Sequence, residues 1–148
     1  MDENRLKLAK ELGATHTISP ASGDVSKQVF TIVGEDGVDC AIEAVGIPAT
    51  WNMCQDIVKP GGHIAVVGVH GQSVDFKLEK LWIKNLAITT GLVNANTTEM
   101  LMKAISSSSV DYTKMLTHRF KFSELEKAYD VFKHAAENQA MKVVLEAD

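Results

Sequence analysis

Two short apolar runs, each followed by glycine, dominate the hydrophobic pattern of the chain. The first, residues 38–45, ends at Gly46, and the second, residues 63–67, ends at Gly68. Residues 48–58 between them carry apolar side chains at helical spacing. This pattern predicts two buried parallel strands joined by a helix. Because ligands of open α/β sheets lie beyond the carboxyl ends of the strands, both glycines are candidate contact points between main chain and a ligand.

The alternation of strands and helices continues along the rest of the chain. Ser123 and Glu126 have the spacing of a capping box at the start of one helix. The periodicity predicts further helices over residues 2–12, 25–33, 97–105 and 123–136. It predicts further strands over residues 15–18, 86–93, 118–122 and 141–146. Strands that alternate with helices indicate right-handed crossovers and a parallel sheet.

Composition narrows the possible partners. The 148 residues carry a formal net charge of -4 without any basic run, which argues against nucleic acid and anionic membranes as partners. The apolar runs are far shorter than the ~20 residues that span a bilayer, so we expect an intracellular, cytoplasmic protein. Cys40 and Cys54 are expected to be buried thiols rather than metal ligands. The five histidines are too scattered to form a metal cluster.

Five segments of the chain are similar to the carboxyl-terminal part of zinc-dependent, medium-chain alcohol dehydrogenases. They are residues 2–15, 38–46, 58–63, 67–71 and 117–120, and the similarity runs in register over essentially the whole chain. The resemblance implies an α/β fold with a partial Rossmann-like, doubly wound parallel sheet that holds strands 3 to 6 of the usual six, plus a carboxyl-terminal strand–helix–strand segment. It also implies that residues 1–112 are a partial dinucleotide-binding domain and that residues 113–148 return to the catalytic domain of the intact enzyme.

The resemblance further implies that three stretches at strand ends contact a nicotinamide cofactor. They are, in chain order, Ala44, Val45 and Gly46; Val67, Gly68 and Val69; and Gly91, Leu92 and Val93. The first would pass the riboses of the cofactor, the second would lie against the nicotinamide ring, and the third would hold the carboxamide group through its backbone. Glycine suits these roles because it lets a flat ring approach the main chain. Taken without the resemblance, the glycines could equally serve only to end their strands.

Two basic residues are implied to meet the rest of the cofactor. Arg5 matches a basic residue near the adenine ribose, and Lys142 falls near a basic position that meets the pyrophosphate. A cation suits a diphosphate. The alternative, that both are ordinary solvated surface charges, stays open.

Several parts of the family pattern have no counterpart in this sequence. A dinucleotide-binding fold needs a first strand, a Gly-x-Gly-x-x-Gly turn for the pyrophosphate and an acidic residue for the ribose hydroxyls, and none of the three is found. The ligands of the catalytic and structural zinc ions are also absent. We therefore expect a piece of such an enzyme that has no catalytic residue and no metal ligand, is inactive alone, and binds NAD weakly or not at all. Zinc would be held only in the parent enzyme.

The missing strands also predict association. In the usual strand order 3-2-1-4-5-6, residues 15–18 and 38–45 would flank the absent centre of the sheet. An unpaired edge invites strand addition, so we expect these two strands to pair directly or to meet another chain. Residues 86–93 would form the outer edge, which pairs across a two-fold axis in the family, and a homodimer is expected.

Three hypotheses follow for function. The first is the cofactor domain of an NAD-linked alcohol dehydrogenase that interconverts small alcohols with aldehydes or ketones. The second is the same part of another medium-chain reductase, such as a zinc-free quinone reductase or a polyol dehydrogenase. The third is a non-enzymatic assembly module that uses the exposed sheet edge. The choice between NAD and NADP stays open, because the residue that discriminates them is not in the sequence.

Overall fold

The computed structural model describes residues 2–92 and 94–148. Its helices are α1 Glu3–Glu11, α2 Val25–Val33, α3 Pro48–Ile57, α4 Leu78–Leu81, α5 Thr98–Ser107 and α6 Leu125–Lys133. Its strands are β1 Val38–Glu43, β2 Val58–Val66, β3 Ala87–Thr90, β4 Leu116–Lys121 and β5 Lys142–Glu146. Residues 22–94 form one compact unit, here called the continuous unit, and residues 2–21 with residues 95–148 form the discontinuous unit.

The continuous unit is built around a parallel sheet in the order β1-β2-β3. Ala41 of β1 pairs with Ile64 of β2, so the two strands run side by side in register towards their carboxyl ends. Helix α3 connects them and starts with Pro48, which is tolerated in a first turn because the amide there has no helical partner. The buried core between helix and sheet consists of Ala41, Trp51, Cys54, Val58 and Ile64.

Alternate residues of β1 face opposite sides of the sheet. Ala41 and Glu43 are buried, whereas Cys40 and Ile42 are exposed. The prediction that Cys40 is a buried thiol was therefore wrong, because the strand period of two places it on the face opposite Ala41. Cys54, which lies on the inner face of α3, is buried as predicted.

The discontinuous unit contains a second parallel strand–helix–strand motif, β4–α6–β5, with His118 paired to Val143. Helix α1 belongs to the same unit. Asp2 caps its amino terminus, where the carboxylate accepts a hydrogen bond from the Asn4 amide at 3.0 Å, and the helix ends before Gly13, which has a φ of 108°. Parallel strands connected by helices in both units confirm the predicted α/β class. The domain boundary predicted after residue 112 stays a prediction.

Two local predictions were wrong. Residues 15–18 form no strand, and in the part of the chain that the structure describes β1 pairs with β2 alone, so the first alternative, direct pairing, is not found. The second, association with another chain, stays a prediction. A strand requires a hydrogen-bonding neighbour, and the carbonyl of Thr15 instead accepts a hydrogen bond from Nζ of Lys10 at 2.7 Å. At the predicted capping box the carboxylate of Glu124, rather than that of Glu126, accepts from a backbone amide, that of Lys121 at 3.3 Å. The first turn therefore begins earlier than the spacing indicated.

Candidate functional site

Two loops follow the carboxyl ends of the paired strands β1 and β2. We call residues 44–47 the first glycine loop and residues 67–70 the second glycine loop. Gly46 has a φ of 86°, and a Cβ atom placed on it would overlap the backbone of Val69. A Cβ atom on Gly68 would overlap the Glu43 carboxylate and the backbone nitrogen of Gly46. The two loops therefore touch backbone to backbone, which only glycine at both positions allows.

Glu43, the last residue of β1, lies beneath this contact and is only 1 % exposed. Its Oε1 atom accepts hydrogen bonds from the amides of Val45 at 3.0 Å and Gly46 at 2.9 Å. The Thr50 hydroxyl donates to the same oxygen at 2.5 Å. A buried carboxylate is stable only when such donors surround it, and this one has donors from the loop and from the first turn of α3.

The main chain of Glu43 binds the second glycine loop. Its carbonyl oxygen accepts hydrogen bonds from the amides of Val67 at 2.8 Å and Gly68 at 3.1 Å. His70, from the far end of the same loop, brings Nε2 to 3.2 Å from Oε2 of Glu43. That contact is electrostatic, since neither ring nitrogen of His70 has a hydrogen-bond partner among the described residues.

The environment of Glu43 decides its ionisation. Desolvation by burial acts to raise the pKa of Glu43, but the hydrogen bonds from Thr50, Gly46 and Val45, with the nearby His70, outweigh it and leave the pKa below its usual 4.5. The group is therefore a carboxylate at neutral pH. Burial, assisted by the charge of Glu43, raises the pKa of the neighbouring Cys54 thiol, which stays neutral.

Above this buried carboxylate, the side chains of the loops point to solvent. Val45, Val67 and Val69 are 60 %, 63 % and 89 % exposed, and Ala44 is exposed as well. Apolar side chains held by a rigid backbone at the carboxyl ends of parallel strands are typical of a ligand-binding edge.

The other predicted site residues are distributed unevenly. Gly91 and Leu92 follow β3 and so lie at the same edge of the sheet, with Leu92 95 % exposed. Val93 lies outside the described residues. Arg5 and Lys142 belong to the discontinuous unit. There Nε of Arg5 lies 3.1 Å from Oδ2 of Asp2, and Lys142 is exposed at the start of β5.

Sequence reasoning missed Glu43, Thr50 and His70. The available signal was an acidic residue inside an apolar strand, directly before the candidate Gly46. An unpaired acid at such a position is costly, so its presence indicates that the following backbone supplies donors.

A metal site needs several His, Cys, Asp or Glu side chains that converge on one point. No group of three or more His, Cys, Asp or Glu residues within the described ranges could hold a metal ion. The donor set of a zinc site is therefore not found in this part of the chain. Helices long and apolar enough to cross a membrane are absent from the described residues as well.

Residues 1–107 match the model of the protein family described as zinc-binding dehydrogenase. The chain belongs to this dehydrogenase family. An alcohol dehydrogenase of Cupriavidus necator is 30 % identical over 135 residues, which cover 88 % of this chain and 37 % of that protein. An L-threonine 3-dehydrogenase of Shewanella woodyi is 27 % identical over 150 residues, covering 100 % of this chain and 43 % of that protein.

Solved dehydrogenases have the same fold. Zinc-dependent alcohol dehydrogenase 2 from Streptococcus pneumonia, in its apo form, superposes with a TM-score of 0.91 at 48 % identity, covering 99 % of this chain and 43 % of that one. A zinc-binding dehydrogenase from Sinorhizobium meliloti, solved with NADP bound, superposes with a TM-score of 0.82 at 25 % identity, covering 96 % and 42 %. The chain thus spans less than half the length of the dehydrogenases that it matches, and its relatives are oxidoreductases.

Proposed function

We propose that this chain is the cofactor-binding portion of a zinc-dependent, NAD-linked alcohol dehydrogenase, in which the two glycine loops form the nicotinamide side of the cofactor cleft. The observation that carries the proposal is the pair of loops at the ends of β1 and β2, which touch through Gly46 and Gly68 while Val45, Val67 and Val69 face solvent. An apolar, backbone-lined edge of this kind suits a flat ring.

The two glycine loops would position the cofactor and exclude water from one face of it. A nicotinamide cofactor, when bound, supplies hydride-transfer chemistry. Val67 and Val69 would cover one face of the ring, and the exposed backbone of Gly91 would meet its carboxamide. The resemblance places Arg5 near the adenine ribose and Lys142 near the pyrophosphate. Zinc would be held by residues of the parent enzyme that have no counterpart here.

We infer that the chain alone is catalytically inactive and binds the dinucleotide weakly. The glycine-rich phosphate turn and the ribose-binding acid are not in the sequence, so most polar contacts to the cofactor are missing. NAD is our proposal for the parent enzyme. The NADP that accompanies the Sinorhizobium meliloti neighbour keeps the phosphorylated form as the alternative to be tested.

The substrate of the parent enzyme is proposed to be a small alcohol, aldehyde or ketone, as the names of the alcohol dehydrogenase relatives suggest. The threonine dehydrogenase relative acts on an amino acid that also carries a hydroxyl group, so a secondary alcohol bearing polar substituents is the second candidate. Zinc-free quinone reductases and polyol dehydrogenases remain alternatives on the same scaffold.

A homodimer through the β3 edge is part of the proposal. β3 is the last strand in the order β1-β2-β3, and Leu92 just beyond it is almost fully exposed. Light scattering coupled to size exclusion should give twice the chain mass of 16.1 kDa, and a monomer at high concentration would contradict this part.

Chemical-shift mapping tests the ligand assignment directly. NADH added to the 15N-labelled chain should shift the amides of Val45, Gly46, Gly68 and Val69, with a dissociation constant of about 1 mM or weaker, whereas AMP, which lacks the nicotinamide, should leave them in place. Val69→Asp should abolish the shifts of Val45, Gly46 and Gly68 by placing a charge against the ring. Ile32→Asp, an exposed position of α2, is the matched control and should not. Equal shifts with NADH and AMP, or none at these amides, would remove the assignment.

A further inference from the structure

Glu43 forms hydrogen bonds to both glycine loops. Its carboxylate accepts from the amides of Val45 and Gly46 in the first loop, and its carbonyl oxygen accepts from the amides of Val67 and Gly68 in the second. Each loop is therefore fixed relative to the end of β1. Bonds of the Glu43 side chain hold the first loop, and bonds of its main chain hold the second.

The carboxylate also lies between the loops. Oε2 is 3.1 Å from the amide nitrogen of Gly46 and 3.2 Å from Nε2 of His70. The same oxygen occupies the space that a side chain at position 68 would need. A negatively charged oxygen therefore lies next to groups of both loops.

Thr50 anchors the carboxylate to the helix. Its hydroxyl has a single proton and two acceptors within reach, Oε1 of Glu43 at 2.5 Å and the carbonyl of Ile47 at 3.0 Å. The bond to the charged acceptor is the shorter and stronger of the two. Because α3 packs on the sheet, this bond ties the carboxylate to the rigid core of the continuous unit.

We propose that Glu43 is the positioning residue of this site, whose carboxylate sets the spacing of the two glycine loops and so the shape of the surface offered to the nicotinamide. Its ligand rests on the function proposed above. Glu43 does not itself touch a ligand, since it is almost fully buried beneath the loop backbones. It acts through Gly46 and Gly68.

A residue that only stabilised its own turn would behave differently. Replacing Glu43 by Gln keeps the size and one oxygen but removes the charge, so a local role would affect only the amides of Val45 and Gly46. A positioning role transmits the loss to the amides of Val67 and Gly68, although their acceptor, the main-chain carbonyl of residue 43, is unchanged. That transmission is what the test must measure.

Amide hydrogen exchange on the 15N-labelled chain measures it. In Glu43→Gln, exchange at Val45 and Gly46 should rise by at least tenfold, and exchange at Val67 and Gly68 by at least threefold, in each case relative to Ile64 in the core of β2, whose exchange reports any change in global stability. Glu146→Gln, which changes an exposed acid at the end of β5, is the matched control and should change none of these rates. Unchanged exchange at Val67 and Gly68 in Glu43→Gln would overturn the proposal.

A second variant keeps the test valid if Glu43→Gln does not fold. His70→Gln removes the second-loop partner while leaving the carboxylate and its amide donors in place, and it should raise exchange at Gly68 and at Gly46 together. Exchange that rises at Gly68 alone would show that the carboxylate does not couple the loops, and would overturn the proposal by itself.

NADH titration separates this inference from the proposed function. If NADH shifts the loop amides of the unsubstituted chain, Glu43→Gln should weaken its apparent affinity at least fivefold, and an unchanged affinity would refute a role for loop spacing in binding. If NADH shifts none of these amides in the unsubstituted chain, the proposed function fails. The spacing role is then decided by the exchange rates alone.

Discussion

Two strand–helix–strand motifs of the described chain, β1–α3–β2 and β4–α6–β5, differ at the carboxyl ends of their strands, and the two glycine loops belong to the first. In the first copy, β1–α3–β2, both strands are followed by loops that touch through glycine above a buried carboxylate. In the second, β4–α6–β5, the strand ends carry an exposed ion pair, with Nη1 of Arg119 2.6 Å from Oε1 of Glu146. Exposed pairs of this kind contribute little to stability.

The helices of the two copies also differ in how much of their surface is buried, and α3 is the more deeply packed of the two. α3 buries Trp51, Cys54 and Gln55, and it is fixed from outside by residues 75–77, where Asp75 and Lys77 bond to its side chains. In α6 the buried residue is Ala128. The topology alone therefore provides a place for a ligand, whereas a packed helix and polar closure of the loops are needed to make that place rigid.

The largest loss of stability is expected from a substitution at the backbone contact between the two glycine loops. Gly46→Ala combines a positive φ with overlap onto the Val69 backbone, and it should lower the free energy of unfolding by about 3 kcal/mol or more. Gly34→Ala has a φ of 93° but open space around the new methyl group, so it should cost about 1–2 kcal/mol. Gly71→Ala, without either problem, should stay within about 0.5 kcal/mol.

Urea unfolding of the three variants measures these differences. Equal losses in Gly46→Ala and Gly34→Ala would mean that the loops do not touch and that only the backbone conformation matters at Gly46.

A smaller effect is expected from the polar anchoring of the helices. Nε1 of Trp51 donates to the carbonyl of Asp75 at 2.7 Å, so Trp51→Phe should lower the unfolding free energy by about 2 kcal/mol through the lost hydrogen bond and the lost volume. Tyr129 of α6 is 65 % exposed. Tyr129→Phe should therefore change the unfolding free energy by less than about 0.5 kcal/mol. Thermal melts of both variants compare the copies, and similar losses would show that the two helices are anchored equally.

The smallest expected effect is the pH dependence of the stability that Glu43 contributes. The pKa of Glu43 is lowered in the folded chain from a usual value of 4.5, so its stabilising contribution is present above about pH 4.5 and is lost as the pH falls through the folded pKa. The stability difference between the unsubstituted chain and Glu43→Gln should therefore be largest near neutral pH and shrink below about 4.5. Unfolding midpoints between pH 7 and pH 3 measure this trend.

An exposed acid of the second copy is the control for that series. The pKa of Glu124 is also lowered, first by the amide of Lys121 and then by Lys127, but solvent screens these contacts. Glu124→Gln should leave the pH profile almost unchanged, and a profile of Glu43→Gln parallel to that of the unsubstituted chain would contradict the assignment to Glu43.

Much of the fold and half of the candidate site could be predicted from the sequence. Gly46 and Gly68 stand directly after apolar runs, and that local signal placed both at the carboxyl ends of strands, where the structure brings their backbones together. Their contact with a ligand stays a prediction. Cys40 could not be assigned correctly, because an apolar run gives no phase for the strand period. The phase depends on which face α3 covers.

The strand predicted at residues 15–18 was wrong, and the role of Glu43 was missed, for a different reason. Both depend on partners that are far away in the sequence. A short β-prone segment becomes a strand only beside another strand. The carboxylate of Glu43 contacts both loops only because the chain brings Gly68 and His70 of the second loop next to it. The sequence shows such residues as isolated, and their roles emerge when non-local segments meet.

The division of the chain into a continuous and a discontinuous unit has a consequence for the order of folding. All of residues 22–94 lie within one stretch, so that unit can fold as soon as the stretch has left the ribosome. The other unit must join segments far apart, as Nζ of Lys114 and Oε2 of Glu11 do at 3.3 Å across 103 positions. Closing so long a loop has an entropic cost that grows with its length, so the glycine loops should form on the nascent chain before α1 finds its own partners.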